Sequence, residues 1–214
     1  MGVTASTRCA VVFAAGRAGD PVRHQALLDR ISDAGLTVVA PEFAPFPMGR
    51  ARLGDLQARI DGLDDALAAL PASTRIIGVG HSIGATLLLA KAGAHMWAGP
   101  GERVRVAPDA RIAGLVLLAP PVGYFAAPGA LEPLSIPIML KVGVRDAVTP
   151  PASYAGLRLT LEGRLPLDFE VVDGADHFSF MDVRPPDQPE PMAAAETCRQ
   201  HLADQIIELA SQPS

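Results

Sequence analysis

Apolar positions along this chain fall into two rhythms. Apolar-rich runs at residues 8–14, 36–40, 76–80, 112–119, 136–142 and 167–172 have the length and Val/Ile/Leu content of strands buried on both faces. Between them lie segments with helical spacing. The clearest is 55–70, where Leu56, Ile60, Leu63, Leu67 and Leu70 recur at intervals of four, three, four and three, with Asp61, Asp64 and Asp65 on the opposite side. Segment 21–34 puts Leu27, Ile31 and Ala34 on one face before Gly35 breaks it. Segment 82–95 is apolar nearly all round, as befits a helix packed over the middle of a sheet. Further helices are predicted at 151–161 and 192–210. Residues 41–53 read as a loop and 97–111 as a polar excursion, each rich in proline or polar groups. The alternation predicts an α/β fold: a mostly parallel sheet of about six strands with helices on both faces. Ligands of such sheets bind beyond the carboxyl ends of the strands.

One junction carries chemistry. The strand ending in Ile76-Ile77-Gly78-Val79 runs directly into Gly80-His81-Ser82-Ile83-Gly84, which opens an apolar helix. This is the setting a Gly-x-Ser-x-Gly nucleophile elbow requires. The serine sits at a sharp strand-to-helix corner, and the flanking glycines avoid a Cβ where strand and helix come closest. Free N–H groups at the new helix's N-terminus lie beside the hydroxyl, where an oxyanion would form. Ser82 is therefore a candidate nucleophile. The simpler alternative is a serine that merely caps a helix.

A serine hydroxyl needs a base within reach, and the base needs an orienting carboxylate. Among five histidines, His177 is best placed, in the loop after the last strand. His24 and His201 fall on predicted helices, His95 near a helix end, and His81 is directed elsewhere by the turn. Asp146 follows the penultimate strand, between Gly143 and Pro150. Asp173 and Asp176 are its rivals by proximity. The order Ser82, Asp146, His177 is that of the α/β-hydrolases and not of the chymotrypsin or subtilisin classes.

Taken together, Gly80-His81-Ser82-Ile83-Gly84, Gly143-Val144-Arg145-Asp146 with Pro150, and Gly174-Ala175-Asp176-His177-Phe178-Ser179-Phe180 resemble the α/β-hydrolase superfamily. The likeness is to its small, cap-less, dienelactone hydrolase-like serine hydrolases and esterases, over residues 8–210. It implies one domain over 1–214 without a lid, and hydrolysis of a small-molecule carboxylic ester through an acyl-enzyme on Ser82. It also implies an oxyanion hole from the N–H groups of Ile83 and of Arg17 or Gly16, with no metal or organic cofactor. Tyr124 and Phe125, which follow a strand at the active edge, together with Phe43, Phe46 and Phe178, are candidates for the substrate pocket. Arg17 and Arg145 are candidates for a substrate carboxylate. Two departures stand out. Ala15-Gly16-Arg17 replaces the usual His-Gly pair, which puts the shape of the oxyanion hole in question. Dienelactone hydrolases use cysteine where this chain has serine, which argues against dienelactone as substrate. Acyl transfer or perhydrolysis on the same three residues, and a silent hydrolase fold used as a binding module, are the alternatives.

Composition narrows the field further. At 214 residues, 49% hydrophobic and 19% charged, the chain has enough material for one sizeable core. A net charge of −5 with only two lysines, Lys91 and Lys141, argues against nucleic-acid binding. Two cysteines, Cys9 and Cys198, cannot form a disulfide framework and are expected to be inert buried thiols. No segment has signal-peptide or membrane-spanning character, so the expected location is the cytoplasm, away from membranes. A homodimer is compatible with all of this.

Overall fold

The computed structural model describes residues 9–46, 51–188 and 192–212. Arg8 of the first predicted strand, part of the 41–53 loop and the final residues of the tail lie outside them.

Among the described residues six strands form one parallel sheet: β1 (Cys9–Ala14), β2 (Thr37–Val39), β3 (Arg75–His81), β6 (Ile112–Leu118), β7 (Ile138–Gly143) and β8 (Leu167–Val172). Their order across the sheet is β2-β1-β3-β6-β7-β8. Strands buried on both faces need apolar side chains at every position, and β1 shows why. Val12 and Ala14 join the core under α2 (Leu53–Ala68), α3 (Ile83–Lys91) and α4 (Ala155–Leu161). Val11 and Phe13 join the opposite core, under α1 (Gln25–Asp33) and α5 (Ala193–Ser211). The expected stripe of α2 does face the sheet: Leu56, Ile60, Leu63 and Leu67 are all buried. Among the described residues no helix is long and apolar enough to cross a membrane.

Local chemistry moves several boundaries. Helix α2 starts two residues earlier than expected, because the Asp55 carboxylate accepts the Arg52 N–H at 3.0 Å and closes the first turn. Helix α3 stops at Lys91, four residues short of the expected end; Gly93, at φ 123°, turns the chain away. The predicted helices at 21–34 and 151–161 each begin with a 3₁₀ turn, Pro21–His24 and Pro151–Tyr154, opened by proline. The polar excursion contains a small hairpin, β4 (Trp97–Gly99) with β5 (Glu102–Arg103), around Pro100-Gly101. Cys9 and Cys198 are free and half-buried instead of fully enclosed.

Candidate active site

The strand-to-helix corner is strained. Ser82 has φ 54° and ψ −130°, a region L-residues rarely adopt, while its N–H still bonds to Leu118 of the neighbouring strand at 2.8 Å. The flanking glycines are steric requirements. A Cβ on Gly80 would lie 2.6 Å from the Ala85 nitrogen, and one on Gly84 only 2.1 Å from the Ala14 carbonyl oxygen. The second contact packs α3 directly against the exit of β1 and so brings residues 15–17 beside the serine.

Ser82 Oγ lies 3.0 Å from His177 Nε2. His177 Nδ1 lies 2.8 Å from Asp146 Oδ2. Asp146 follows β7, where its N–H returns to the Gly143 carbonyl in a tight turn. Its side chain is fully buried, and the carboxylate receives three further hydrogen bonds. Val148 and Thr149 N–H donate to Oδ1 at 2.8 and 2.7 Å, and the Thr149 hydroxyl donates to Oδ2 at 2.7 Å. Burial pushes the Asp146 carboxyl upward, but the His177 hydrogen bond and charge, with the Thr149 donors, hold it below the usual carboxylate value. It is therefore ionised at neutral pH.

The rival carboxylates serve elsewhere. Asp176 pairs with Arg184 at 2.5 Å and accepts the Phe178 N–H and the Ser179 hydroxyl, which braces the loop that carries His177. Asp173 is exposed.

Two histidines have a closer relation to the site than their sequence positions suggest. His24, His81 and His177 line up in a row of tilted rings, with centroids 5.2 and 5.1 Å apart and interplanar angles of 53° and 46°, and Phe13 covers the far side of His24 at 4.7 Å. His81 does turn away from Ser82, yet its Nε2–H donates to the His177 carbonyl at 2.8 Å. Burial lowers His24 to about 4, against opposition from Asp182 and a Phe180 backbone hydrogen bond. Burial, then the neighbouring histidines, lowers His81 well below the usual imidazole value. Both are neutral at pH 7. The signal for His24 was a histidine one turn ahead of the buried Leu27 and Leu28, a place where solvent is absent. His95 packs edge-on against Trp97, and His201 is exposed.

A cleft of about 630 Å³ opens over Ser82. Gly16, Arg17 and Ile83, the expected oxyanion residues, all line it, and a Cβ on Gly16 would be 3.3 Å from the Ser82 Cβ. Phe46, Tyr124 and Phe178 form much of its apolar wall with Pro121, Val148 and Met181. Arg23 and Arg17 are its charged members. Three expectations fail. Phe125 does not line the cleft: the 3₁₀ turn Val122–Phe125 aims adjacent residues in different directions, so Tyr124 faces the cleft while Phe125 is buried in the core and borders a separate cavity. Arg145 is exposed outside the cleft, because the turn that points Asp146 inward points its neighbour outward. Phe43 lies against α2, its ring over Gly62. Among the described residues no group of three or more His, Cys, Asp or Glu side chains is disposed to hold a metal ion.

Neither a protein-family model nor a curated protein matches this sequence. Solved structures do match its shape. A protein described as a predicted CIB-like hydrolase from Thermoplasma acidophilum is 18% identical, with 96% of this chain and 89% of that one covered and a TM-score of 0.59. Esterase 2 of Thermogutta terrifontis, in a form phosphoramylated by tabun, is 16% identical over 98% and 87% of the chains, with a TM-score of 0.63. A monoacylglycerol lipase of Paleococcus ferrophilus is 17% identical over 92% and 93%, with a TM-score of 0.59. At such identities the likeness speaks to the fold alone, and with the sheet order and the strand–serine–helix corner it leads to one statement: this chain has the α/β-hydrolase fold.

Proposed function

We propose that the protein is a serine hydrolase that cleaves small carboxylic esters through an acyl-enzyme on Ser82. The observation that carries this reading is the unbroken hydrogen-bond chain from Ser82 through His177 to the buried, ionised Asp146. His177 takes the Ser82 proton as the hydroxyl oxygen attacks the ester carbonyl. Asp146 accepts from Nδ1, holds the tautomer with Nε2 free to act as base, and stabilises the imidazolium. The tetrahedral oxyanion is held by the N–H groups of Ile83 and of Arg17 or Gly16. Loss of one such donor typically costs about 3 kcal/mol of transition-state stabilisation. His177 then protonates the departing alcohol, and its second cycle activates water to release the acyl group.

The esterases and the lipase of similar shape are consistent with this chemistry. So is the apolar wall of Phe46, Tyr124, Phe178 and Met181, which suits the hydrocarbon part of an ester. The dienelactone hydrolase-like character rests on the motifs alone and belongs to the same proposal. A pure binding module has no use for a serine held in a strained conformation against a histidine and a buried carboxylate.

Intact-mass spectrometry after fluorophosphonate treatment tests the reading. One adduct on the native protein and none on Ser82→Ala is the expected result. An unlabelled native protein with an intact fold, or a labelled Ser82→Ala variant, refutes it.

A further inference from the structure

The reaction just outlined leaves idle the charged side chain most deeply set beside the site. Arg59 stands on the apolar stripe of α2, between Leu56 and Ile60, and is 2% exposed. Its Nη1 donates to the Gly16 carbonyl at 2.6 Å and, at a longer 3.4 Å, to that of Ala15. Its Nη2 donates to the Arg17 carbonyl at 2.6 Å and to that of Ala44 at 3.0 Å. The guanidinium carbon lies 3.8 Å from the centre of the Phe46 ring and 5.3 Å from that of Phe43. Among the described residues no carboxylate forms an ion pair with it; carbonyl dipoles and ring faces meet the guanidinium directly, with the Asp55 charge acting from farther off. Burial, and then the Arg17 charge, lowers the guanidinium to about 10 against the opposing charge of Asp55, and it stays cationic at neutral pH.

Those carbonyls belong to the turn that lacks the His-Gly pair. In a trans peptide the carbonyl and the N–H point in opposite directions. A Gly16 carbonyl drawn towards Arg59 therefore sends the Arg17 N–H away from it, and a cation on the oxygen makes that N–H a stronger donor. The turn is also tied to the 43–46 segment, through Phe46 N–H to the Arg17 carbonyl and Phe43 N–H to the Gly19 carbonyl, each at 3.0 Å. We propose that Arg59 is a positioning residue for the oxyanion hole, clamping the carbonyls of residues 15–17 so that the Arg17 N–H is presented, polarised, to the tetrahedral intermediate. The proposal rests on the esterase reading above.

A matched pair of substrates tests it: a p-nitrophenyl ester and its thiono counterpart, in which sulfur replaces the carbonyl oxygen and accepts hydrogen bonds poorly. Native enzyme should favour the oxygen ester strongly. Arg59→Met should lower kcat on the oxygen ester about 10- to 100-fold with little change in KM, the size of a weakened oxyanion donor. The oxygen-to-thiono ratio of kcat should shrink by a similar factor. Arg59→Lys keeps the charge without the fork, and should fall between the two; it decides the matter if the methionine variant does not fold. A fall in kcat that is equal for both esters, or an unchanged kcat in either folded variant, overturns the proposal while the esterase reading stands. A native enzyme with no turnover and no Ser82 adduct takes both down.

Discussion

Replacing Ser82 by alanine and by glycine separates the energetic cost of the elbow from its chemistry. Both changes remove the hydroxyl and its 3.0 Å contact with His177. Only glycine removes the Cβ that makes φ 54°, ψ −130° unfavourable. Such conformations cost about 1–3 kcal/mol, against which glycine's extra freedom in the unfolded chain costs about 0.5–1 kcal/mol. The balance favours Ser82→Gly over Ser82→Ala by about 1 kcal/mol. For a chain of this size that is about 2–4 °C in melting temperature. Calorimetry or urea unfolding of the two variants, side by side at pH 7.5, reads the difference directly. The sign is the diagnostic, since glycine is ordinarily the less stable of the pair. A Ser82→Gly variant that melts below Ser82→Ala refutes the strain argument, whatever happens to activity.

Acid should weaken the fold before carboxylates titrate. His24 is lowered by burial from 6.5 to about 4, so between those values the unfolded chain binds a proton that the native chain refuses. Stability contributed by the neutral ring is full above pH 6.5 and declines as pH falls towards 4, by about 3 kcal/mol at 1.36 kcal/mol per unit. His24→Phe should therefore lose less stability than the native protein between pH 7 and 4.5 in urea titrations, and parallel losses would exclude His24 as the source. His81 titrates in the same direction, so some slope remains in the variant. Thr149→Val deletes the hydroxyl that donates to Asp146 Oδ2 at 2.7 Å while it preserves shape. The expected loss is about 2 kcal/mol in unfolding free energy, that of a hydrogen bond to a charged group, together with a reduced kcat; an unchanged midpoint contradicts it.

What could be read from the chain was what local pattern encodes. Ser82 was legible because strand, corner and helix occupy one continuous stretch, and each flanking glycine answers to a neighbour it nearly touches. The inner strands β1, β3, β6 and β7 were legible because burial on two faces leaves a nearly continuous apolar signature, whereas the edge strands β2 and β8 are only partly buried and β8 carries Asp168 and Glu170. Asp146 and His177 followed from strand exits and chain order. The errors lie where facing matters within a turn. Tyr124 and Phe125 differ by one position, as do Arg145 and Asp146, and no periodicity says which of two adjacent loop residues points inward. Arg59 and His24 were missed for another reason. Arg59 interrupts an apolar stripe and His24 stands one turn ahead of one, but the partners that make their burial tolerable are backbone carbonyls and rings from distant segments. Those partners leave no trace in composition or spacing.

Ser82, Asp146 and His177 leave three different strands, and 95 residues of chain separate the serine from its histidine. The strand that delivers His177, β8, is an edge of the sheet and pairs with β7 alone. Parallel pairings between distant segments form slowly, because the loop entropy is lost before the contacts are gained. A chain with β1, β2, β3, β6 and β7 in register would already have most of the sheet, yet Ser82 would lack its hydrogen bond to His177. On the proposed chemistry, labelling of Ser82 during refolding would therefore report the docking of β8, a long-range event that far-UV signals from the rest of the sheet would miss.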